Sequence, residues 1–110
     1  MLTMTRIHEI KGILKNDPRF KIQADLAKCL GDPSCLKILY ILTTDKYVCP
    51  SDFSEIIRLS MPAISHQLSR LKQLDVVDTV RHGQKICYFI KNTQEGKLFK
   101  KVVKTLLDPA

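Results

Sequence analysis

Ser60-Met61-Pro62-Ala63-Ile64-Ser65-His66-Gln67-Leu68-Ser69-Arg70-Leu71-Lys72-Gln73-Leu74 runs straight into Asp75-Val76-Val77-Asp78-Thr79-Val80-Arg81-His82-Gly83-Gln84-Lys85-Ile86-Cys87-Tyr88-Phe89-Ile90. In the first half, Ile64, Leu68, Leu71 and Leu74 stand at i, i+4, i+7 and i+10, one stripe of a 3.6-residue period. Ser60 is a suitable N-cap and Pro62 suits a first turn, so a helix is expected over about 61–74. After Asp75 the chemistry becomes β-branched and the period falls to two. A strand over 76–81, a turn at His82-Gly83-Gln84 and a return strand over 85–90 make a hairpin.

The same reading extends upstream. Pro50 and Ser51, with Ser51 as N-cap, open a short helix that turns Phe53, Ile56 and Ile57 inward. Arg58-Leu59-Ser60 joins it tightly to the next helix, which is a helix-turn-helix. Asp32-Pro33 starts a helix running to about Leu42, with Leu36, Ile38, Leu39 and Leu42 buried. Asp17-Pro18 starts another, with Ile22, Leu26, Cys29 and Leu30 on one face and Gly31 closing it. Ile7, Ile10 and Leu14 mark a first helix over about 5–15, and a last one runs from about Thr93 to Leu107. The expected class is mainly α with a small β-hairpin (α+β), a winged helix-turn-helix in the order ααααα-ββ-α. It forms a single domain over 1–110.

The composition narrows the function. The chain has 110 residues and a net charge of +7, from 18 Lys and Arg against 11 Asp and Glu. That excess suits a polyanion, because neutralising phosphates releases condensed counterions. Arg81 to Lys104 holds seven basic residues and one acid, Glu95. The outward face of the 61–74 helix offers Pro62, Ala63, Ser65, His66, Gln67, Ser69 and Arg70, with no acid. An α-helix fits the major groove of double-stranded DNA. With Ser60 at its start and Arg81, His82, Gln84 and Lys85 on the hairpin, these are the candidate DNA contacts. No Gly-rich phosphate loop, nucleophile elbow or carboxylate pair speaks for an enzyme. No apolar run is long enough for a membrane span of roughly 20 residues. The polar N-terminus, with His8, Glu9, Lys11 and Lys15, is unlike a signal peptide, so a cytoplasmic location is expected.

Three segments together resemble a known family, ArsR/SmtB, the arsenic- and metal-responsive repressors. They are Leu26 to Leu39, Ser65 to Lys72 and Arg81 to Phe89, in the right order and spacing. The resemblance covers about residues 24–92. It implies a winged-helix homodimer that represses transcription and dimerises through its first and last helices. Here those are 1–16 and 93–107, with Ile7, Ile10, Leu14, Leu98, Val102 and Leu106 at the interface. Where the family has Gly after the second helix of the motif, this chain has Asp75, which tolerates the left-handed conformation.

The signal sensed stays open at this point. The family's metal sensors carry two cysteines one residue apart, but here Cys49 is followed by Pro50 and then Ser51. The last helix has no His and only Glu95, so the family's other metal site is also missing. Cys29 and Cys35 flank the corner between two helices and can approach each other, and the first turn of its helix favours a Cys35 thiolate. Cys29, Cys35 and Cys49 are thus the candidates for a thiophilic metal ion (Cd, Pb, As(III) or Zn) or a redox switch. Packing alone also accounts for them, and Cys87 reads as a half-buried strand residue. A winged-helix protein-interaction module and a DNA binder without inducer are the competing readings.

Overall fold

The computed structural model describes residues 1–107; positions 108–110 of the expected domain lie outside the described residues. The elements are α1 (Met4–Asn16), α2 (Arg19–Leu30), α3 (Pro33–Thr44), α4 (Pro50–Ile57), α5 (Met61–Gln73), β1 (Val77–His82), β2 (Lys85–Ile90) and α6 (Gln94–Leu107). The expected order of helices and hairpin is the observed one.

α3 is the hub, because it is the most apolar helix and buries Cys35, Ile38, Leu39 and Leu42. α2, α4, α6 and β2 pack around it. Leu26 and Cys29 enter from α2, Phe53 from α4, Ile64, Leu68 and Leu71 from α5, and Phe99 and Val103 from α6. The inward stripe of α5 is the one its spacing predicts, with Leu74 partly buried at its end.

The chain leaves α5 through Asp75, whose φ of +64° is the left-handed turn foreseen there. The Asp75 carboxylate pairs with Lys91 and its carbonyl accepts from Thr93 Oγ1 at 2.7 Å. Val76 therefore stays outside the strand: its N–H donates to Leu71 O and its carbonyl accepts from Lys91 N. The hairpin is antiparallel from Val77↔Ile90 to His82↔Lys85. Its two-residue turn is Gly83-Gln84, with Gly83 at φ +63°, a value that costs glycine nothing and matches the twist of a tight hairpin. Val48 adds a one-residue bridge to the other edge of β2 through Tyr88.

The structure corrects several local expectations. Ile22 is 55% exposed and Ile56 62% exposed, so α2 and α4 bury narrower faces than their apolar residues suggest. Cys49, not Ser51, holds the N-cap position of α4, and Asp52 Oδ2 accepts the Cys49 N–H at 3.2 Å. Pro50 dictates this, since its fixed φ and missing N–H suit the first helical position. Arg58 takes the left-handed conformation in the turn between α4 and α5 (φ +63°), and Ser54 Oγ ties that turn by donating to Leu59 O.

α1 buries no residue and is absent from the main helix-helix contacts. The radius of gyration is 17.7 Å, against about 13 Å for a compact chain of this length. The longest extent is 61 Å, and α1 is the helix that buries no residue.

Candidate nucleic-acid interface

α5 has a polar outer face on a rigid footing. Ser60 Oγ accepts the Ala63 N–H at 3.3 Å and caps the helix. Pro62, Ser65, His66 and Ser69 are exposed, Ala63 is half-buried, and no acid occupies the first turn. The free amides at that end favour anions such as phosphate.

Two residues expected on this face lie elsewhere. Gln67 is half-buried and turned toward α3: its Nε2 donates to Asp32 Oδ2 at 2.9 Å and to Ser34 Oγ at 3.0 Å. Its Oε1 is buried without a hydrogen-bond partner among the described residues. Arg70 is half-buried too, with NH1 3.9 Å from Asp32 Oδ2. The cause is position. Gln67 falls three residues after buried Ile64 and four before buried Leu71, on the flank of the inward stripe.

Asp32 is the centre of this link. Its carboxylate caps α3 by accepting from Ser34 N at 2.9 Å and Ser34 Oγ at 2.7 Å. Hydrogen bonds from Ser34 and then Gln67 hold its carboxyl below the usual carboxylate range. One side chain thus starts α3 and fixes α5 against it.

On the hairpin, Arg81, His82, Gln84 and Lys85 are all exposed at the tip. The Tyr47 ring lies 5.1 Å from the His82 ring and meets Phe89 edge-on at 5.9 Å. Lys46 Nζ sits 5.2 Å from the Tyr47 ring centre. Lys46 and Tyr47 therefore join the wing, an association whose one local sign is an aromatic residue inside a polar loop.

The four cysteines sort into two pairs. Cys29 and Cys35 Sγ lie 2.6 Å apart, both fully buried at the α2–α3 corner. Cys49 does not join them; its Sγ is 2.9 Å from Cys87 Sγ. The hydrogen bond from Cys35 lowers the Cys29 thiol, while that bond and burial push the Cys35 thiol up.

A thiophilic ion fits the Cys29–Cys35 pair poorly. A tetrahedral site takes four ligands, and this corner supplies two sulfurs. Soft ions also favour more than two sulfurs, and no cluster of three or more His, Cys, Asp or Glu occurs among the described residues.

A short helix pair with a polar second helix, followed at once by a basic two-stranded wing, defines a winged helix-turn-helix protein, the class built to bind DNA. The model of the bacterial regulatory protein arsR family matches residues 32–79. The cadmium resistance transcriptional regulatory protein CadC of Listeria innocua is 42% identical over 65 residues, 59% of this chain and 55% of its own length. The chain thus spans about half of that relative. A CadC homolog from Staphylococcus aureus is 30% identical over 105 residues, 92% of this chain and 87% of its own length. Among solved structures, the homodimeric winged helix-turn-helix DNA-binding domain Mb0332 of Mycobacterium bovis superposes with a TM-score of 0.67. It is 22% identical, and the match covers 81% of each chain. The chain belongs to the arsR family of bacterial regulatory proteins.

Proposed function

We propose that the protein is a sequence-specific, DNA-binding transcriptional repressor that works in the cytoplasm as a homodimer. The observation that carries this reading is the acid-free, exposed face of α5 leading directly into an exposed basic wing tip. α5 lies in the major groove and reads bases through Ser65, His66 and Ser69, with Ser60, Pro62 and Ala63 at the leading end. Arg81, His82, Gln84 and Lys85 hold the backbone, joined by Lys46. Arg70 and Gln67 act one step back, setting the pose of α5 through Asp32.

The second copy covers apolar surface the chain leaves open. On α1, Ile7 and Ile10 are half-buried and Leu14 is 55% exposed; on α6, Leu98 is 47% and Leu106 64% exposed, with Val102 half-buried. Two such faces related by a two-fold axis place the two α5 helices about one DNA turn, roughly 34 Å, apart.

Release from DNA is assigned to oxidation of Cys29 and Cys35 in preference to metal binding. A two-electron oxidant removes two electrons and two protons from the thiols and leaves a disulfide. The bond forms across Asp32, the residue that holds α5. Fluorescence anisotropy on the gene's own upstream DNA tests the whole reading. Reduced protein is expected to bind with a steep loss of affinity as salt rises. Salt-independent binding or none would shift the reading to a protein-interaction module. Binding that survives oxidation and Cd(II) alike would leave a repressor without a thiol inducer.

A further inference from the structure

Cys49 and Cys87 are a second thiol pair that neither the groove contacts nor the α2–α3 corner uses. Their placement follows from backbone register. Val48 and Tyr88 exchange both hydrogen bonds, Val48 N to Tyr88 O at 3.1 Å and Tyr88 N to Val48 O at 2.8 Å. The position next to such a pair in an antiparallel ladder is a non-hydrogen-bonded one, where Cα atoms approach to about 4.5 Å and side chains lie closest. Cys49 and Cys87 occupy that position, and their sulfurs are 2.9 Å apart. A disulfide spans Cα separations of roughly 4.4–6.8 Å. Closing it needs less than about 1 Å of sulfur movement and no change of register.

We propose that Cys49 and Cys87 form an oxidant-responsive dithiol that closes to a cross-strand disulfide and staples the wing to the start of α4. The oxidant is hydrogen peroxide. The Cys49 sulfur is the half-exposed one and attacks first, as thiolate. The O–O bond breaks, the departing hydroxide is protonated to water by the proton released when the Cys49 thiolate formed, and Cys49 becomes a sulfenic acid. The Cys87 sulfur, only 7% exposed, then attacks the Cys49 sulfur. The S–O bond breaks and the hydroxide leaves with the Cys87 proton as a second water. The two thiols lose two electrons and the peroxide gains them. The hydrogen bond with Cys49 and partial desolvation hold the Cys87 thiol above its usual range, which suits the later, resolving role.

The Cys49 amide is held by Asp52, an anchor for the loop that does not involve the sulfur. The meaning for regulation rests on reading the wing as a DNA contact. β2 carries Lys85 two residues before Cys87, and a closed bond fixes that strand against the helix-turn-helix.

Peroxide treatment of the full-length Cys29→Ser/Cys35→Ser protein tests this, with peptide mapping by mass spectrometry without reduction, thermal denaturation and DNA binding on the same samples. The expected result is loss of two hydrogens per chain and a cross-linked peptide joining 49 and 87. The midpoint should rise on the order of 10 °C, and dithiothreitol should reverse it. A further Cys87→Ser change should abolish both, and DNA should stay bound. Thiols still open to alkylation after peroxide, a bond between chains, or an unmoved midpoint would overturn the proposal. Release of DNA by this bond alone would overturn its holding role. If the double variant does not fold, mapping of the wild-type chain decides, since the 49–87 peptide must appear there too. Failure of the reduced protein to bind DNA would count against the repressor reading alone.

Discussion

Asp32→Ala removes the side chain that starts α3 and holds α5. Three hydrogen bonds to its carboxylate disappear, from Ser34 N, Ser34 Oγ and Gln67 Nε2, along with a long contact to Arg70. Loss of an N-cap costs about 1 kcal/mol. The bond to Gln67 has a charged acceptor, but the Asp32 side chain is 32% exposed, so water discounts it to about 1 kcal/mol. The sum, about 2 kcal/mol, lowers the melting midpoint by roughly 8 °C in a chain of this size. Asp32→Asn is the informative partner. Asn caps helices as well as Asp does. Gln67 can also turn its amide over, so that Oε1, now without a partner, accepts from the new amide. Asp32→Asn should therefore cost less than about 1 kcal/mol. The carboxyl is held below its usual range by Ser34 and Gln67. Its stabilisation is present above the unfolded value of about 3.9 and is lost as pH falls through the lower folded value. The gap between wild type and Asp32→Ala should be constant near neutrality and close in acid. Urea denaturation followed by circular dichroism at several pH values measures all of this. An alanine variant within about 0.5 kcal/mol of wild type, an asparagine variant no better than alanine, or a gap that persists in acid would each refute the role given to Asp32.

Three further outcomes are expected. Lys85→Ala should leave stability within about 0.5 kcal/mol and lower the log–log salt slope of DNA affinity by about one, since its side chain is exposed at the wing tip; an unchanged slope in anisotropy titrations would remove it from the interface. Gly96→Ala should cost about 3 kcal/mol in urea denaturation, because a Cβ there would stand 2.0 Å from Lys91 O, a backbone atom already fixed by the Lys91 N–H bond to Val76 O; wild-type stability would mean the α6 entry is looser than it looks. Leu98→Glu with Leu106→Glu should yield a folded monomer by sedimentation velocity, since the two side chains are 47% and 64% exposed within one chain; a persisting dimer would place the interface elsewhere.

Elements with a long apolar period or a strong cap were legible in the sequence. Asp32-Pro33, Ser60 and the stripe Ile64, Leu68 and Leu71 each have a local cause acting within one helix turn. Asp75 was legible for the same reason, since its left-handed φ depends on its own short side chain. Ile22 and Ile56 were not. Apolar identity says what a residue tolerates, and only the neighbouring helices decide how wide a face they cover. Gln67 carried a readable signal, its i+3 spacing from Ile64, which its polarity outweighed. What held it inward is a carboxylate 35 positions away.

The cysteines show the limit most clearly. Cys29 and Cys35 are six positions apart across one corner, so their approach could be foreseen from chain length alone. Cys49 and Cys87 are 38 apart, and their meeting depends on a single bridge between Val48 and Tyr88. Nothing local marks Val48 as a strand residue. Its pairing exists because β2 has an open edge and the polar loop before α4 passes beside it. The register of that one bridge puts one thiol opposite the other; a shift of a single residue would turn Cys49 away from Cys87 to the opposite face. A Val48→Pro change removes the N–H that donates to Tyr88 O. It should abolish the peroxide-induced 49–87 bond while both thiols remain, which separates the register from the mere presence of two cysteines.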